Sequence, residues 1–596
     1  MKNLIFCISL IFFAPFAMAV EITVIKLHNK SIDQLADENL IPTDVEDAEE
    51  FFGENNSTNE ISMDNNSLDL IESDLKINEI YEVWDSIEYE DIVFLLNNIK
   101  NINSNTLKNE ILSSLNINNK SGDTINKEDY DKLIIDSLLS LGDMKKSYEL
   151  IKTFKIIKNP EYNIFYKKFI LNYLLSSYNL SESCDYRNQI KNLINFDDDD
   201  FFLKIDIFCL ILEEKFDEAN LLNALLIESP NGDDKYFQYL LDKLQKNEIK
   251  YEDSDLKKIN NYDNIFLYSA MNRIANLPLT EKFLESDPLN LSMPIVLSGA
   301  TKINLRLKAA HIAYSNKLLN EDSLAALYQA VDFSYEQLNN TSEILPSFDD
   351  NIEIGIAYFF QLINIQLLPI TRLEAILRFW DFAEKNNLEL IAYKLSFKYL
   401  NTIDPTNELS EFGPKISRAY IYNNDFERSK KWLTFSENYI NNDQYLYELN
   451  SSKLLYNLFN IQESFEITEV LVENLKYMNQ NLIDKDSTDY IVKAEILNLI
   501  FSTLNDSIEY PYQTKKNIVD SRPMVSAYMI DMIKNSIKEK NNPKLLLAIV
   551  ASLDGKKWNE IHSEHFRLIL TALKEYKNGL LLNTILLEIL DEINVI

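Results

Sequence analysis

The amino-acid sequence predicts an all-α protein, and three observations support that fold class. The chain has 596 residues but only 9 glycines, whereas folds with many tight turns rely on glycine for left-handed backbone positions. From about Lys76 onward, apolar residues recur at the i, i+3, i+4 and i+7 positions of amphipathic helices, in blocks of roughly 10 to 18 residues. Apart from one short candidate strand, Ile22–Ile25, no segment shows a clean alternating strand pattern.

Helix-breaking residues separate these helical blocks. Proline lacks a backbone donor, and glycine tolerates the left-handed cap, so both are typical of helix ends. Breaks of this kind occur at Asn159-Pro160, Ser229-Pro230-Asn231-Gly232, Asp404-Pro405, Gly413-Pro414 and Asn542-Pro543. We therefore expect many helices of ordinary length, joined by short turns.

One stretch, from Ile354 to Thr371, carries no charged residue and approaches the length of a membrane-spanning helix. It is interrupted by Gln361, Asn364, Gln366 and Pro369. Because the polar groups of these residues would need partners in lipid, we expect a buried helix of the helical region here.

The N-terminus predicts export. A short, positively charged start with Lys2 precedes the apolar stretch Leu4–Phe16, and Ala17-Met18-Ala19 then forms an A-x-A motif before Val20. This order is typical of a secretory signal peptide, residues 1–19, that is cleaved between Ala19 and Val20. The Asn-, Lys- and Ile-rich composition together with this short signal indicates a bacterial protein. We therefore expect a periplasmic or secreted location.

Residues 20–74 form an acidic segment that we expect to be mostly disordered. Positions 31–70 contain many Asp and Glu residues but no Lys or Arg. Such a segment repels itself and buries too little apolar surface to fold. Helical patterns then occupy two predicted repeat regions, 75–340 and 353–596, on either side of a linker at 341–352.

Two cysteines remain after removal of the signal, which contains Cys7. An even number of cysteines in an oxidising compartment favours a disulfide between Cys184 and Cys209. Their separation suits two adjacent antiparallel helices, and the bridge would stabilise the fold by about 3 kcal/mol. Two buried free thiols are the alternative interpretation.

Four segments share one layout: an apolar helix, a short polar or Gly-containing turn, and a second helix with a small inward residue. They lie at residues 138–147, 209–219, 419–429 and 572–579. These segments resemble the helix-turn junctions of tetratricopeptide-like repeats over the turn and the small residue, whereas Trp, Gly, Tyr and Pro are mostly missing at the other consensus positions. The resemblance implies an irregular α-solenoid of stacked helical hairpins.

A second resemblance involves the cysteine pair. The arrangement of Cys184, Cys209 and Ala219, together with Leu277-Pro278-Leu279, is similar to an uncharacterised secreted helical family of alphaproteobacteria. That family has no established activity, so the resemblance implies no catalytic residue.

Composition excludes several function classes. The two closest glycines, Gly122 and Gly142, are too far apart for a Walker A loop, a GxGxxG loop or a G-x-S-x-G elbow. A formal net charge of −35 argues against a nucleic-acid binder, because such proteins need a basic surface. The glycine-poor C-terminal third also lacks the Gly-rich catalytic segment of lytic transglycosylases.

Candidate ligand residues are few. His562 and His565 form an H-x-x-H pair without an evident third ligand, which is a weak zinc signal. We expect His28 and His311 to be ordinary core or surface histidines. The run Asp197–Asp200 lacks the spacing of a calcium loop and is better explained as the cap of the following helix. The sequence therefore predicts no catalytic residue, no cofactor and no metal site.

Taken together, the sequence favours an exported helical-repeat scaffold or adaptor without catalysis, which binds a protein or peptide partner in the bacterial envelope. Its acidic charge favours a partner with a basic surface. Two alternatives stay open: a peptidoglycan- or polysaccharide-acting enzyme with an unrecognised helical domain, and an accessory of a secretion or motility apparatus.

Overall fold

The structure is a computed structural model of the whole chain. It describes residues 87–99, 102–115, 127–154, 157–191, 200–229, 234–247, 264–339, 344–349, 351–386, 388–439, 443–460, 495–496, 499–500, 503, 520–576 and 579–592. The predicted signal peptide 1–19, its cleavage site between Ala19 and Val20, and the acidic segment 20–74 lie outside these residues.

The all-α prediction is confirmed, since the described residues form α-helices and short 3-10 helices and contain no strand. The helices are α1 (Tyr89–Asn97), α2 (Asn105–Ser114), α3 (Lys127–Ser140), α4 (Met144–Lys152), α5 (Pro160–Ser176), α6 (Leu180–Lys191), α7 (Asp200–Leu212), α8 (Phe216–Glu228), α9 (Lys235–Leu244), α10 (Ile265–Ile274), α11 (Glu281–Ser286), α12 (Pro288–Leu297), α13 (Ile303–Ser315), α14 (Glu321–Gln329), α15 (Tyr335–Asn339), α16 (Ile352–Ile365), α17 (Pro369–Glu384), α18 (Glu389–Leu400), α19 (Gly413–Tyr422), α20 (Phe426–Ser436), α21 (Asp443–Phe459), α22 (Ala527–Glu539), α23 (Asn542–Leu553), α24 (Ser563–Glu575) and α25 (Gly579–Glu592). The 3-10 helices are Leu345–Phe348, Asn407–Phe412 and Trp558–Glu560.

The chain divides into two compact units. Unit 1 comprises Ile151–Asn387, with helices α5 to α17, and also Met1–Asn55, which lies outside the described residues. Unit 2 comprises Asn56–Leu150 and Leu388–Ile596, with α18 to α25 and nearly all of α1 to α4. The repeat regions 75–340 and 353–596 and the linker 341–352 stay predictions, because these units are defined by contacts and not by repeats.

Helical hairpins are the main packing motif of unit 1. Helix α7 packs against α8, α12 against α13, and α16 against α17, while α5 packs against both α6 and α10. Large aromatic side chains such as Phe202, Phe237 and Trp380 are fully buried between these helices. Burying aromatic groups of this size supplies much of the hydrophobic stabilisation of a helical core.

The hairpin turns close through a residue in the left-handed conformation. At the turn between α7 and α8, Glu214 has φ 59°, and Lys215 N–H donates to the Leu210 carbonyl at 2.9 Å. This is the hydrogen-bond pattern of a Schellman cap, which satisfies carbonyls left open at the helix end. The left-handed residues other than glycine are Tyr178, Glu214, Lys246, Asn276, Lys317, Asn424, Lys540 and Asp554. The scarcity of glycine therefore does not mean that such turns are scarce.

Small residues occupy the close contacts that the sequence predicts. Ser147, Ala219 and Ser429 follow the turns at residues 142, 214 and 424, and each is completely buried. A short side chain at such a position lets the two helices of a hairpin approach closely. Ala572 of the fourth segment is also buried, although the backbone at the end of its helix α24 is extended, at Tyr576.

Unit 2 is built from both parts of the chain that contribute to it. Helices α1 and α2 pack against α23, and α2 also packs against α25. Asp91 of α1 pairs with Lys544 at 2.8 Å and accepts a hydrogen bond from Tyr528 Oη at 3.1 Å. Glu588 of α25 accepts from the Thr106 backbone N–H at 3.0 Å. Distant parts of the sequence are therefore joined by specific polar contacts within this unit.

The uncharged stretch from Ile354 to Thr371 forms the expected buried helix as far as Ile365 and does not continue as one helix to Thr371. Helix α16 ends at Ile365, and α17 begins at Pro369, because proline at the first helical position starts a new helix. Leu367 in the intervening turn is 86% exposed. Among the described helices, none is both long and apolar enough to cross a membrane.

Gly413 begins α19 at a close helix-helix contact. A Cβ atom at this position would overlap Ser436 Oγ and would lie 3.3 Å from the Trp432 carbonyl oxygen of α20. Because Ser436 is completely buried and the Trp432 carbonyl belongs to the α20 backbone, a larger residue at this position would overpack the contact.

We predict that Gly413→Ala lowers the free energy of unfolding by about 1–3 kcal/mol, since the added methyl group overpacks the α19–α20 contact. Urea denaturation of the full chain measures this loss. Adding Ser436→Ala removes the overlapping hydroxyl and should recover part of it. Unchanged stability of the single variant would contradict the close contact.

Candidate binding surface on helix α8

The site begins with a covalent link between two helices of unit 1. A disulfide joins Cys184 of α6 to Cys209 of α7, with Cα atoms 5.6 Å apart, as the sequence predicts. Both residues are buried. The bridge is therefore structural, and it fixes α6 against α7.

A buried ion pair reinforces the same two helices. Arg187 of α6 donates from Nη2 to Asp206 Oδ2 of α7 at 2.8 Å, and Lys191 Nζ lies 3.5 Å from the same oxygen. The Arg187 guanidinium also lies 5.1 Å from the ring centroid of Phe202, within cation–π range. Charge and covalent linkage thus act on one helix pair.

A second buried charge connects α7 to the next helices. The Lys204 side chain of α7 is 1% exposed, and its Nζ lies 2.6 Å from Asp234 Oδ2. Asp234 is the N-cap of α9 and accepts from the Phe237 backbone N–H at 3.1 Å. Tyr268 of α10 donates its hydroxyl hydrogen to the same carboxylate. This Lys204–Asp234–Tyr268 cluster joins α7, α9 and α10.

Electrostatics keep the cluster in one protonation state. Burial by itself raises the pKa of Asp234, but the Lys204 ammonium and the Tyr268 and Phe237 donors outweigh it, so the pKa lies below its ordinary value. Burial and the neighbouring Asp234 charge hold the pKa of Tyr268 well above its ordinary value. The carboxylate is therefore ionised and the phenol neutral at pH 7.

Arg273 fixes the end of α10 to the turn after α5. Its guanidinium carbon lies 3.9 Å from the ring centroid of Tyr178, which is stacking distance for a cation–π contact. Burial lowers the pKa of Arg273 to about 10. The group is therefore still charged at pH 7, and the stacked ring stabilises it.

Helix α8 is held by contacts with α7 and with α9. Ala219 and Leu226 are fully buried in it, and α8 packs against α7. Asn223 of α8 and Gln238 of α9 exchange two amide hydrogen bonds of 2.7 Å. Ser229 Oγ, just after α8, donates to Asp200 Oδ1 at 3.0 Å. The orientation of α8 is therefore fixed by contacts along its length.

Helix α8 carries several exposed apolar side chains. Leu221 is 66% exposed, Leu225 55% and Ile227 50%, and Phe216 at the start of the helix is also exposed. Single exposed aliphatic residues are ordinary on a protein surface. Several on one helix make it a candidate interaction surface, because leaving them in water is unfavourable. We call this face, Phe216–Glu228, the α8 surface.

The α8 surface is not visible in the sequence pattern. Leu221, Leu222, Leu225, Leu226 and Ile227 are consistent with a helix that is covered on most sides. Helical spacing identifies which residues share a face, but not whether another helix covers that face. The exposed residues therefore appear only once α7, α9 and α10 are in place.

Three histidines lie among the described residues, and each contacts another protein group. His562 Nδ1 accepts from the Glu564 backbone N–H at 3.1 Å, whereas His565 Nε2 faces Ser552 Oγ at 2.9 Å. His311 Nε2 lies 2.6 Å from Tyr328 Oη. Within the described ranges, no group of three or more His, Cys, Asp or Glu residues is arranged to hold a metal. His28 lies outside these ranges.

The acidic run before α7 is only partly described. Asp200 is the first residue of α7, and its carboxylate accepts the hydrogen bond from Ser229. Asp197–Asp199 lie outside the described residues. The helix-cap interpretation of the run therefore stays a prediction for these three positions.

Comparison with known proteins finds no matching family model, no curated protein with significant similarity and no solved structure with a significant match. Functional inference therefore rests on the geometry of the chain.

We predict that Asp234→Asn lowers the free energy of unfolding by about 3–5 kcal/mol, because it leaves the Lys204 ammonium buried without its counter-charge. Lys204→Met should also destabilise, and the double variant should cost less than the two singles together, since it removes both charges. Urea denaturation of the wild type, the two single variants and the double variant gives the coupling energy between Lys204 and Asp234. Additive losses would contradict direct coupling.

Acidification should destabilise the fold through its buried histidines. Burial lowers the pKa of His311 to about 4, and burial followed by the charges of Lys556 and His562 does the same for His565. Between pH 6.5 and about 4 the unfolded chain binds protons that the folded chain does not. Stability should therefore fall by about 1.4 kcal/mol per pH unit for each histidine.

Urea midpoints measured between pH 7.5 and pH 5 test this slope. His311→Gln and His565→Gln should each flatten it, because glutamine does not titrate in this range. A slope that is identical in the wild type and both variants would assign the acid sensitivity to other groups.

Proposed function

We propose that the protein is an exported helical scaffold or adaptor, which binds a protein or peptide partner in the bacterial cell envelope and catalyses no reaction. The observation that carries this proposal is the α8 surface, where Leu221, Leu225 and Ile227 are at least half exposed on a fixed helix. An irregular solenoid of stacked hairpins would present faces of this kind along its length.

Rigidity supports binding as the role of this surface. The Cys184–Cys209 disulfide, the Lys204–Asp234–Tyr268 cluster and the Asn223–Gln238 amide pair hold α8 before any partner arrives. A preorganised surface binds more tightly because little conformational entropy is lost on association. A face that served only the core would instead be covered by another helix of the unit.

Charge indicates the kind of partner. Five exposed acidic residues lie in or next to α8: Glu213, Glu214, Asp217, Glu218 and Glu228. Together with the overall charge of −35, they steer basic partners toward the surface and repel acidic ones.

A photo-crosslinking amino acid in place of Ala224, on the exposed side of α8, tests the proposal in cells that export the protein. We expect a covalent adduct with one protein or peptide, identified by mass spectrometry. Adding Leu221→Asp should abolish the adduct, because a charge in the apolar face disfavours burial.

The matched control is Leu367→Asp, which places the same charge on a leucine of the α16–α17 turn that is even more exposed than Leu221. It should leave the adduct intact. If no adduct forms at position 224, or if both aspartate variants reduce it equally, α8 is not the binding site.

A further inference from the structure

The outward direction of α8 is defined by four residues. Successive residues turn by about 100° in an α-helix, so positions 217, 221, 224 and 228 lie within about 60° of one another. Asp217, Leu221, Ala224 and Glu228 occupy them, and all four are exposed. This stripe lies opposite the buried Ala219 and Leu226. It is apolar in the middle and acidic at both ends.

The acidic end at Glu228 does not serve the stability of α8. A carboxylate near a helix C-terminus is disfavoured by the helix dipole, and α8 has no basic residue in its last turn. Asp217 and Glu218 at the other end are favourable for the helix, so stability explains one end of the stripe but not the other. Partner cations that pair with the acidic residues would explain both ends of the stripe.

Lys215, which precedes α8, pairs with Glu213 and not with the stripe. Lys215 Nζ lies 2.6 Å from Glu213 Oε2, and this hydrogen bond raises the pKa of the lysine. Its charge is therefore directed at Glu213, in the turn before α8. Asp217, Glu218 and Glu228 remain as the acidic residues that a docked partner meets.

This charge pattern argues against two occupants. A second copy of the chain would bring its own acidic α8 ends against these, and like charges across an interface cost several kcal/mol. A membrane with anionic lipids would repel the same carboxylates. A partner with an apolar centre and a cation on either side would cover Leu221 and Ala224 and would pair with the acidic residues at both ends of the stripe.

We propose that the α8 surface binds an amphipathic helix whose aliphatic residues recur at i, i+3 and i+4 and whose Lys or Arg residues flank that apolar stripe at both ends. The proposal rests on the proposed function. Two packed helices lie about 8–10 Å apart, so aliphatic side chains of the partner would cover Leu221, Ala224 and Leu225. The flanking cations would lie about 16 Å apart, the length of α8 from Asp217 to Glu228.

Three fluorescent peptides of about 18 residues test this inference against the full chain. The first carries a leucine stripe at i, i+3 and i+4 with lysines at both ends of the stripe. The second replaces these lysines with glutamates, and the third keeps the lysines but has a central proline that breaks the helix.

Fluorescence anisotropy should show binding of the lysine peptide, at least tenfold weaker binding of the other two, and weakening with added salt. Asp217→Lys with Glu228→Lys should reduce binding of the lysine peptide at least tenfold and improve binding of the glutamate peptide. Leu221→Asp should abolish binding, whereas Leu367→Asp should not change it. Because all these positions are exposed, each variant should keep the helical fold, which its circular dichroism spectrum verifies.

The outcomes separate this inference from the proposed function. If the Ala224 adduct forms but neither charge reversal nor salt alters peptide binding, the basic-helix partner is wrong and the scaffold function stands. If the proline peptide binds as tightly as the lysine peptide, the partner binds as an extended chain and not as a helix. Dimerisation of the protein that Leu221→Asp prevents would assign the surface to a second copy and overturn the inference.

Discussion

The candidate site depends on one interaction in unit 1, the buried ion pair between Lys204 and Asp234. A charged group removed from water is stable only with a counter-charge and hydrogen bonds in good geometry. Asp234 and Tyr268 provide these from two other helices, so α7, α9 and α10 must occupy fixed relative positions for the charge to be tolerated. Helix α8 lies on α7 and is bonded to α9. The buried cluster therefore fixes the two helices that hold α8.

The helix turns show a different constraint, which is local to the backbone. Schellman caps need a left-handed residue, and glycine adopts that conformation at the lowest cost. Here glutamate, lysine, asparagine, aspartate and tyrosine occupy it at several turns. A left-handed backbone costs roughly 1–2 kcal/mol for a residue with a side chain, so packing on both sides of these turns must offset that cost. Glu214 is one such case, since Ala219, five residues later in α8, is completely buried.

The proposed function rests on exposed apolar side chains. Both the α8 surface and the α16–α17 turn place leucine side chains in water. Only the α8 surface combines them with acidic residues at both ends of a rigid stripe, whereas the turn around Leu367 lies in a stretch without charge. Charge therefore distinguishes a surface with a definable partner from one that is merely apolar.

The sequence by itself predicted the helical class, the disulfide and the turns at residues 142, 214 and 424, because periodicity, cysteine number and turn chemistry act over short distances. It placed the small residues Ser147, Ala219 and Ser429 correctly for the same reason. Only the tertiary structure decided that α16 ends at Ile365, that Lys204 meets Asp234, and that Leu221 and Leu225 of α8 are exposed. Those outcomes depend on which distant helix lies against a given face. A helical pattern specifies an apolar face, whereas its burial depends on the neighbours that the fold brings to it.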